Sequence, residues 1–288
     1  MFRRTIAIVA ALAVALAVVS LSAAAHQRTR HAQRHPHRIV SLSPTMTEDL
    51  FAIGAGKQVV AVDEDSNYPR RAPRTKLSGF TPNVEAIAGY HPDLVLISYN
   101  PGSLASQLRK LGIKVVDEPA VKNVKRAYRE ILGLGRLTGH VRGAHAVVQS
   151  MRTRLAAIVR SVPGSRRHLR VYHELDSTYY TATSKTFIGS IYKLFGFRDI
   201  ADGADSTGGG YPQLSAEYIV QQNPQIIVLA DTKCCQQTAA TVAARPGWGA
   251  IAAVRHHRVV GVDDDIASRW GPRIVQFARA VARIARKG

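Results

Sequence analysis

The feature that most constrains the fold is a segment that occurs twice. Residues 81–98 read TPNVEAIAGYHPDLVLIS, and residues 211–230 read YPQLSAEYIVQQNPQIIVLA. Each copy has an aromatic residue, a proline, a helix-capping residue, a glutamate two places further on, a proline seven residues later and an apolar run. A helix leading into a buried strand, used twice, predicts two domains of similar construction. The paired residues are Phe80 and Tyr211, Pro82 and Pro212, Asn83 and Ser215, Glu85 and Glu217, and Pro92 and Pro224.

The same alternation of strands and helices continues outside the repeat. From Arg38, RIVSL is typical of a buried strand, SPTMTEDLFAIG of a capped helix that ends at Gly54, and QVVAVD of the next strand. This alternation predicts a parallel sheet covered by helices. After Gly139, apolar residues keep helical spacing for about six turns, which predicts one long helix. These residues are Ala144, Val147, Val148, Met151, Leu155, Ile158 and Val159.

These patterns predict an α/β protein with two lobes joined by one long α-helix and a ligand cleft between the lobes. With 288 residues, the chain is long enough for two domains of ordinary size. The expected segments are a signal peptide at 1–25, a basic, His-rich linker at 26–37, an N-terminal lobe at 38–138, a bridging helix at 139–162 and a C-terminal lobe at 168–288.

The N-terminus has the three regions of a secretory signal. MFRR is followed by the apolar run TIAIVAALAVALAVVSL and then by SAAAH, so we expect cleavage near Ala25 and export from the cytoplasm. The alternative is an uncleaved anchor over Thr5–Leu21, a segment close to the length that spans a bilayer. The tail that follows contains His26, His31, His35 and His37, and is read as a linker rather than as a metal or haem site.

The chain is strongly basic. Its formal charge is +19, or +17 without Arg3 and Arg4, which is compatible with nucleic acid, an anionic membrane surface or an acidic ligand as a partner. Export argues against nucleic acid. Solvated faces are the default explanation for the arginines of the tail and of the segment 126–170.

The candidate binding residues follow the predicted strands. Ligands of open parallel sheets bind beyond the carboxyl ends of the strands, and two lobes can present these ends across one cleft. Aromatic residues are only 7% of the chain, so their occurrence in these loops favours a ligand cleft. The loop residues are Ser43, Pro44, Asp65, Tyr68, Phe80 and Tyr99 in the first lobe, and Tyr179, Tyr180, Tyr211, Asp265, Arg269 and Trp270 in the second.

Known catalytic and metal-binding patterns do not match. STGGGYP lacks the lysine and following helix of a phosphate loop, and neither a nucleophile elbow nor an HExxH motif occurs. His173 and Glu174 are neighbours in a predicted strand, so their side chains should point to opposite faces. The adjacent Cys234 and Cys235 are interpreted as free loop cysteines, with a strained vicinal disulfide as the alternative. We therefore expect no catalytic residue, metal site or cofactor.

Several segments together resemble the substrate-binding proteins of bacterial ABC importers for vitamin B12 and ferric siderophores. In order along the chain they are RIVSLSPTMTEDLFAIGAG, NYP, NVEAIAGYHPDLVLIS, GIKVV, YPQLSAEYIVQQNPQIIVLA, RPGWGAIAAVRHHRVVGVD and GPRI. The similarity covers nearly everything from Arg38 onward. It implies two Rossmann-like lobes on a rigid helix, a ligand held in the cleft and little lobe closure.

The resemblance also implies roles for particular residues. Phe80, Tyr99 and Tyr211 would face the ligand, although the best-known B12 binder of the family has tryptophans in place of Phe80 and Tyr211. Glu85 and Glu217 would dock onto arginines of the two permease subunits. The further candidates for ligand contact are Tyr68, Tyr180, Asp265 and Arg269.

These implications give an expected function. We expect a monomeric exported protein that captures a metal chelate and delivers it to an ABC importer. A cobalamin-type corrinoid is preferred because the cleft candidates are mostly neutral aromatics, with a ferric siderophore or haem as alternatives. Two other classes stay open: an exported hydrolase on the same scaffold, and a zinc or manganese binder that uses His91, His173 and a carboxylate.

Overall fold

The structure is a computed structural model, which describes residues 35–287. The expected signal peptide 1–25, its cleavage near Ala25, the alternative anchor over Thr5–Leu21 and linker residues 26–34 lie outside the described part. Residues 37–287 belong to one compact unit. Within 35–287, no helix combines the length and the apolar character needed to cross a membrane.

The first lobe is a four-stranded parallel sheet in the order β2-β1-β3-β4. Its central strands are entirely buried, as expected where helices cover both faces of a parallel sheet. The Ser43 side chain caps the first helix, and Gly54 ends it in the left-handed conformation at φ 100°. The elements are β1 (Ile39–Leu42), α1 (Pro44–Ile53), β2 (Val59–Val62), α2 (Val84–Ala88), β3 (Leu94–Ile97), α3 (Leu104–Lys110) and β4 (Lys114–Asp117).

Two antiparallel helices follow, α4 (Val124–Thr138) and α5 (Val141–Arg160). α5 is the predicted long helix, and its 20 residues span about 30 Å. Glycines allow the close packing here, because a Cβ on Gly135 would clash with Ala144 Cβ and one on Gly143 would clash with the Ile53 carbonyl oxygen. The bridging helix therefore packs directly on the end of α1.

The second lobe repeats the first. Its parallel sheet has the order β6-β5-β7-β8, so β7 occupies the position that β3 occupies in the first sheet. β3 and β7 are the apolar runs of the two sequence copies, and the short helices α2 and α7 precede them. The two-lobed α/β prediction is confirmed. The elements are β5 (Arg170–Glu174), α6 (Phe187–Leu194), β6 (Arg198–Asp199), α7 (Ala216–Gln222), β7 (Ile226–Leu229), α8 (Ala239–Ala243), α9 (Ala252–Arg255), β8 (Val259–Gly261), α10 (Asp264–Ser268) and α11 (Ile274–Ala285).

One hydrophobic core joins the lobes. It includes Met46 of α1, Ile131 of α4, Met151 of α5 and Phe277 of α11, all at most 2% exposed. Each sheet also has a smaller core on its other face. The two lobes consequently share a buried helical layer, which fixes the relation between the strand ends that form the site.

Candidate functional site

A cavity of about 370 Å³ lies between the two lobes. The first lobe contributes residues at the carboxyl ends of β1, β2 and β3, among them Ser43, Asp63 and Tyr99. The second lobe contributes the segment from Asp265 to Trp270, which follows β8. This is the cleft position predicted from the sequence, where strand ends of both lobes meet.

The predicted aromatic residues form the exposed aromatic surface of the described chain. In residues 35–287, five aromatic side chains are at least 42% exposed. All five were predicted site residues. Solvent-exposed aromatic groups in the loops after strands are typical of a surface that binds a ligand. They are Tyr68, Phe80, Tyr99, Tyr180 and Tyr211.

These five aromatics do not all line the interlobe cavity. Phe80 and Tyr99 do, with ring centroids 6.2 Å apart. Tyr68 lies under the Arg273 guanidinium, 4.4 Å from its ring centroid, and lines a neighbouring cavity of about 280 Å³. In the second lobe, the backbone of Tyr180 pairs with Gln213, two residues beyond Tyr211.

Arg269 lines the cavity, but both of its terminal nitrogens are engaged by protein acceptors. Its guanidinium donates to Glu48 Oε1 at 2.9 Å, Asn67 Oδ1 at 3.0 Å, the Asp65 carbonyl at 2.8 Å and Asp265 Oδ1 at 2.8 Å. Three of these four acceptors belong to the first lobe. Arg269 therefore ties the lobes together, and we call Glu48, Asn67, Asp265, Arg269 and Arg273 the interlobe clamp.

The other members of the clamp are equally paired. Arg273 donates to both carboxylate oxygens of Glu48, which is 3% exposed. Asp265 Oδ2 accepts from Asn67 Nδ2 at 3.0 Å and Lys233 Nζ at 2.8 Å. Burial alone would raise the pKa of Asp265, but these donors and the Arg269 charge lower it. The carboxylate thus stays ionised at the edge of the cavity.

Asp63 lies at the floor of the cavity, 1% exposed. Burial raises its pKa to about 6, an effect strengthened by the Asp65 charge and opposed by a hydrogen bond from Ser66. A Cβ on Gly79 would approach Asp63 Oδ2 to 3.0 Å and the Leu42 carbonyl oxygen to 2.9 Å. The absence of a side chain at position 79 therefore lets the backbone pass close to the Asp63 carboxyl group.

Beneath the clamp, the buried Asp49 lies within electrostatic reach of Glu130. Both carboxylate oxygens of Asp49 lack a hydrogen-bond partner among the described residues, and burial, Glu130 and Glu48 raise its pKa well above the usual range. Glu130 accepts hydrogen bonds from Trp270 Nε1 at 3.1 and 3.2 Å. Burial raises the Glu130 pKa to about 7, against the lowering effect of Trp270. Ionised Glu130 is therefore unfavourable in the folded protein.

We expect Glu130→Gln to stabilise the fold at neutral pH and to have little effect near pH 4. Because the pKa of Glu130 is raised in the folded state, the folded protein binds a proton here more tightly than the unfolded protein does. The stability that this protonated group contributes is lost as the pH rises through its folded-state pKa of about 7. Glutamine keeps an acceptor for Trp270 without the charge. The free energy of unfolding in urea should rise by about 2 kcal/mol at pH 7.5. A gain of equal size at both pH values would contradict this explanation.

Glu85 and Glu217 occupy equivalent positions in the two lobes. Each is exposed in the first turn of its helix, α2 or α7. Asn83 caps the first helix and Ser215 the second, by accepting from the backbone N–H three residues on, at 2.8 and 3.1 Å. Neither glutamate forms an ion pair with another residue of 35–287. The helix dipole favours an acid here but does not neutralise it.

The residues considered for direct metal binding are dispersed. His91 is exposed in the first lobe, whereas His173 is fully buried in the second, with Nδ1 2.7 Å from the Tyr192 hydroxyl. Glu174 has a different partner, Arg245, as expected for the opposite face of the strand. Within the described chain, no group of three or more His, Cys, Asp or Glu residues could hold a metal ion. Cys234 and Cys235 are free thiols.

Among the residues of the site that sequence reasoning missed are Glu48, Asp63, Asn67, Lys233 and Arg273. Glu48 lies inside a helix whose pattern predicts only core packing, and Asn67 and Lys233 lie in loops of ordinary polarity. The i,i+4 spacing of Asp265 and Arg269 was the one local signal of a charged pair here. Their partners are distant in sequence.

Two parallel-sheet lobes on one long helix, with an aromatic cleft at the strand ends, define a two-lobed solute-binding protein. The family model for periplasmic binding proteins matches residues 39–266, and the chain belongs to this family. Its relatives in the family are solute-binding proteins rather than enzymes.

Three relatives show which members of this family the chain resembles. It is 32% identical to an uncharacterised ABC transporter substrate-binding lipoprotein of Bacillus subtilis, over 87% of this chain and 80% of that protein. It is 34% identical to a cobalamin-binding protein of Halobacterium salinarum, over 84% of this chain and 67% of that protein. The solved periplasmic vitamin B12-binding protein of Vibrio cholerae is 25% identical, with a TM-score of 0.71, over 88% of this chain and 99% of that structure.

Proposed function

We propose that this protein is the exported substrate-binding protein of an ABC importer and that it captures a metal-chelate nutrient, preferably a cobalamin-type corrinoid. The observation that carries this proposal is the interlobe cavity lined by Phe80 and Tyr99, together with three further exposed aromatic side chains in the loops of the two lobes, Tyr68, Tyr180 and Tyr211. A bulky ligand with large apolar faces fits such a surface, because aromatic rings supply contact area with little loss of side-chain entropy.

The charge of the cavity favours a ligand without strong negative charge. Among the described residues, Arg269 is the one cation in the lining, and its two terminal nitrogens donate to four protein acceptors. Asp63, Asp65 and Asp265 bring three carboxyl groups to the same cavity. Haem, with two propionates, or a multiply anionic ferric chelate would meet these groups without a free cation. A corrinoid with neutral amide arms, or a neutral ferric hydroxamate, would not be repelled by these carboxyl groups.

Relatives support the class of ligand and the partner. The Halobacterium salinarum and Vibrio cholerae proteins are described as binding cobalamin and vitamin B12. The Bacillus subtilis relative is a substrate-binding lipoprotein of an ABC transporter, which supports export and a permease partner. A possible iron-binding protein of Staphylococcus epidermidis, 27% identical with a TM-score of 0.76, supports a ferric siderophore as the second candidate.

Ligand retention tests the proposal directly. The purified protein is incubated with cyanocobalamin, a neutral ferric hydroxamate or haem, desalted, and analysed by native mass spectrometry and visible spectroscopy. We expect a one-to-one complex with cyanocobalamin, weaker retention of the hydroxamate and none of haem. Haem retained more tightly than cyanocobalamin would overturn the ligand assignment, and retention of none of the three would remove the metal-chelate class.

A pair of variants localises the ligand. Tyr99→Ala should weaken cobalamin binding about tenfold, the loss of roughly one aromatic contact. Leu111→Ala is the matched control, because Leu111 is exposed but lies outside the lining of the cavity. Equal losses in both variants would contradict binding in the interlobe cavity.

A further inference from the structure

The pair of helices α4 and α5 carries an unusual excess of positive charge. Together they contain eight lysines and arginines and a single acid, Glu130, which is engaged with Trp270. All eight cations are exposed, and none forms an ion pair within the described residues. We call these eight side chains the basic face, although Arg154 stands apart from the others, in the cavity that Tyr68 lines. It comprises Lys125, Arg126, Arg129, Arg136, Arg142, Arg152, Arg154 and Arg160.

An apolar groove of about 480 Å³ opens within the basic face. Lys125, Arg152 and Arg160 stand among its lining residues, and the Arg152 guanidinium lies 5.1 Å from the ring centroid of Tyr128. Leu194, at the end of α6, is 41% exposed. The groove shares no residue with the interlobe cavity. Its apolar lining consists of Val124, Tyr128, Leu155, Ala156, Val159 and Leu194.

We propose that the basic face binds the surface of an anionic phospholipid membrane, with a lipid seated in the groove between α4 and α5. A phospholipid combines the two features that the site presents, a headgroup phosphate for the three cations and an apolar segment for the groove. A second cavity of about 500 Å³ on the other side of α4 is lined by Lys114, Arg126, Arg129 and Arg136, together with two glutamates. It offers further contacts for phosphates of neighbouring lipids.

The extent of the charge selects a membrane over an acidic peptide. A peptide in the groove would meet the three cations around it, whereas a membrane surface also presents phosphates to cations beyond the groove, such as Arg126, Arg129 and Arg136. Each Lys or Arg near an anionic bilayer contributes about 1 kcal/mol of attraction, which is screened by salt. The inference concerns a surface separate from the ligand cleft and does not depend on the identity of the ligand.

Vesicle binding by the full chain tests this inference. The chain is mixed with vesicles of phosphatidylcholine alone, or of phosphatidylcholine and phosphatidylglycerol in equal parts, and the bound fraction is measured by sedimentation. We expect the mixed vesicles to bind more protein, and the difference to disappear at about 1 M salt, where the Debye length falls to about 3 Å. Replacing Lys125, Arg152 and Arg160 by glutamine should weaken binding to the mixed vesicles about a hundredfold.

A matched variant removes the same charge elsewhere. Arg74→Gln, Lys76→Gln and Arg255→Gln together alter three exposed cations outside α4 and α5, and we expect at most about a threefold effect. The apolar run and basic tail before residue 38 are common to all variants and cancel in this comparison. Leu194→Gln tests the groove itself and should weaken binding about tenfold.

Two results would overturn the inference. Equal losses in the two triple variants would assign vesicle binding to net charge or to the N-terminal segment. Tighter binding of poly-glutamate than of mixed vesicles, abolished by the first triple variant, would assign the groove to an acidic peptide. Circular dichroism and cyanocobalamin affinity should be unchanged in every variant, because none of these residues lines the cleft.

Discussion

Glu48→Ala should lower the free energy of unfolding by about 3 kcal/mol and loosen the two lobes. Glu48 is buried and accepts hydrogen bonds from Arg269 and Arg273, so the substitution removes the ion-pair partner of Arg273 and leaves Arg269 paired with Asp265 alone. Removing one partner of a buried ion pair typically costs about 3–5 kcal/mol. Relief of the repulsion with Asp49 and the better helix propensity of alanine offset part of this loss.

Urea unfolding measures the Glu48 effect, and a nearby exposed acid provides the control. Glu64→Ala removes the same charge at an exposed position for which the structure records no side-chain hydrogen bond or ion pair, and should change stability by less than about 0.5 kcal/mol. Glu48→Gln, which keeps the shape of the side chain, should fall between the two. A Glu48→Ala protein as stable as the Glu64→Ala protein would show that the clamp contributes nothing to the fold.

Reversing both Glu85 and Glu217 to arginine should abolish ligand uptake by cells while leaving the affinity of the purified protein unchanged. The two glutamates are exposed, occupy equivalent helix starts in the two lobes and lie outside the lining of the interlobe cavity. If they meet arginines of two permease subunits, reversal places like charges at both contacts, and such contacts cost several kcal/mol each. Uptake of labelled cobalamin should fall by at least about a hundredfold.

The stability of this double variant must be measured with its uptake. Arginine in the first helical turn opposes the helix dipole and should cost about 0.3–1 kcal/mol at each site. Glu64→Arg is the matched reversal at an exposed position outside the repeat, and should leave uptake intact. Loss of both uptake and ligand affinity would indicate unfolding, and normal uptake would exclude the docking role. The ligand-retention test uses the unsubstituted protein, so neither result changes its outcome.

Local patterns were enough to predict the architecture. The runs LVLI and IIVL are apolar at every position, which is typical of a strand covered on both faces, and they form the equivalent strands β3 and β7. The loops after the strands contained the aromatic residues that the structure leaves exposed. Helix α4 was missed although Val124, Ala127, Ile131 and Leu134 have helical spacing, because Gly133 and Gly135 interrupt the pattern.

The interlobe clamp could not be predicted in the same way. Glu48 and Arg269 are 221 residues apart, so their hydrogen bond depends on the packing of both lobes. Arg269 was a candidate for ligand contact because of its position after a strand, but that position alone does not indicate how many protein acceptors surround it. Its role as a ligand contact remains a prediction, now set against four competing hydrogen bonds.

Those four hydrogen bonds also bear on how the cleft selects its ligand. Moving one lobe away from the other would break three of them at once, since three acceptors lie across the cleft from Arg269. We therefore expect the cleft to exist in its binding shape before the ligand arrives, so that no free energy of binding is spent on closing the lobes. Discrimination between ligands then depends on whether a molecule fits a fixed gap, so size and shape should exclude more competitors than any rearrangement after binding.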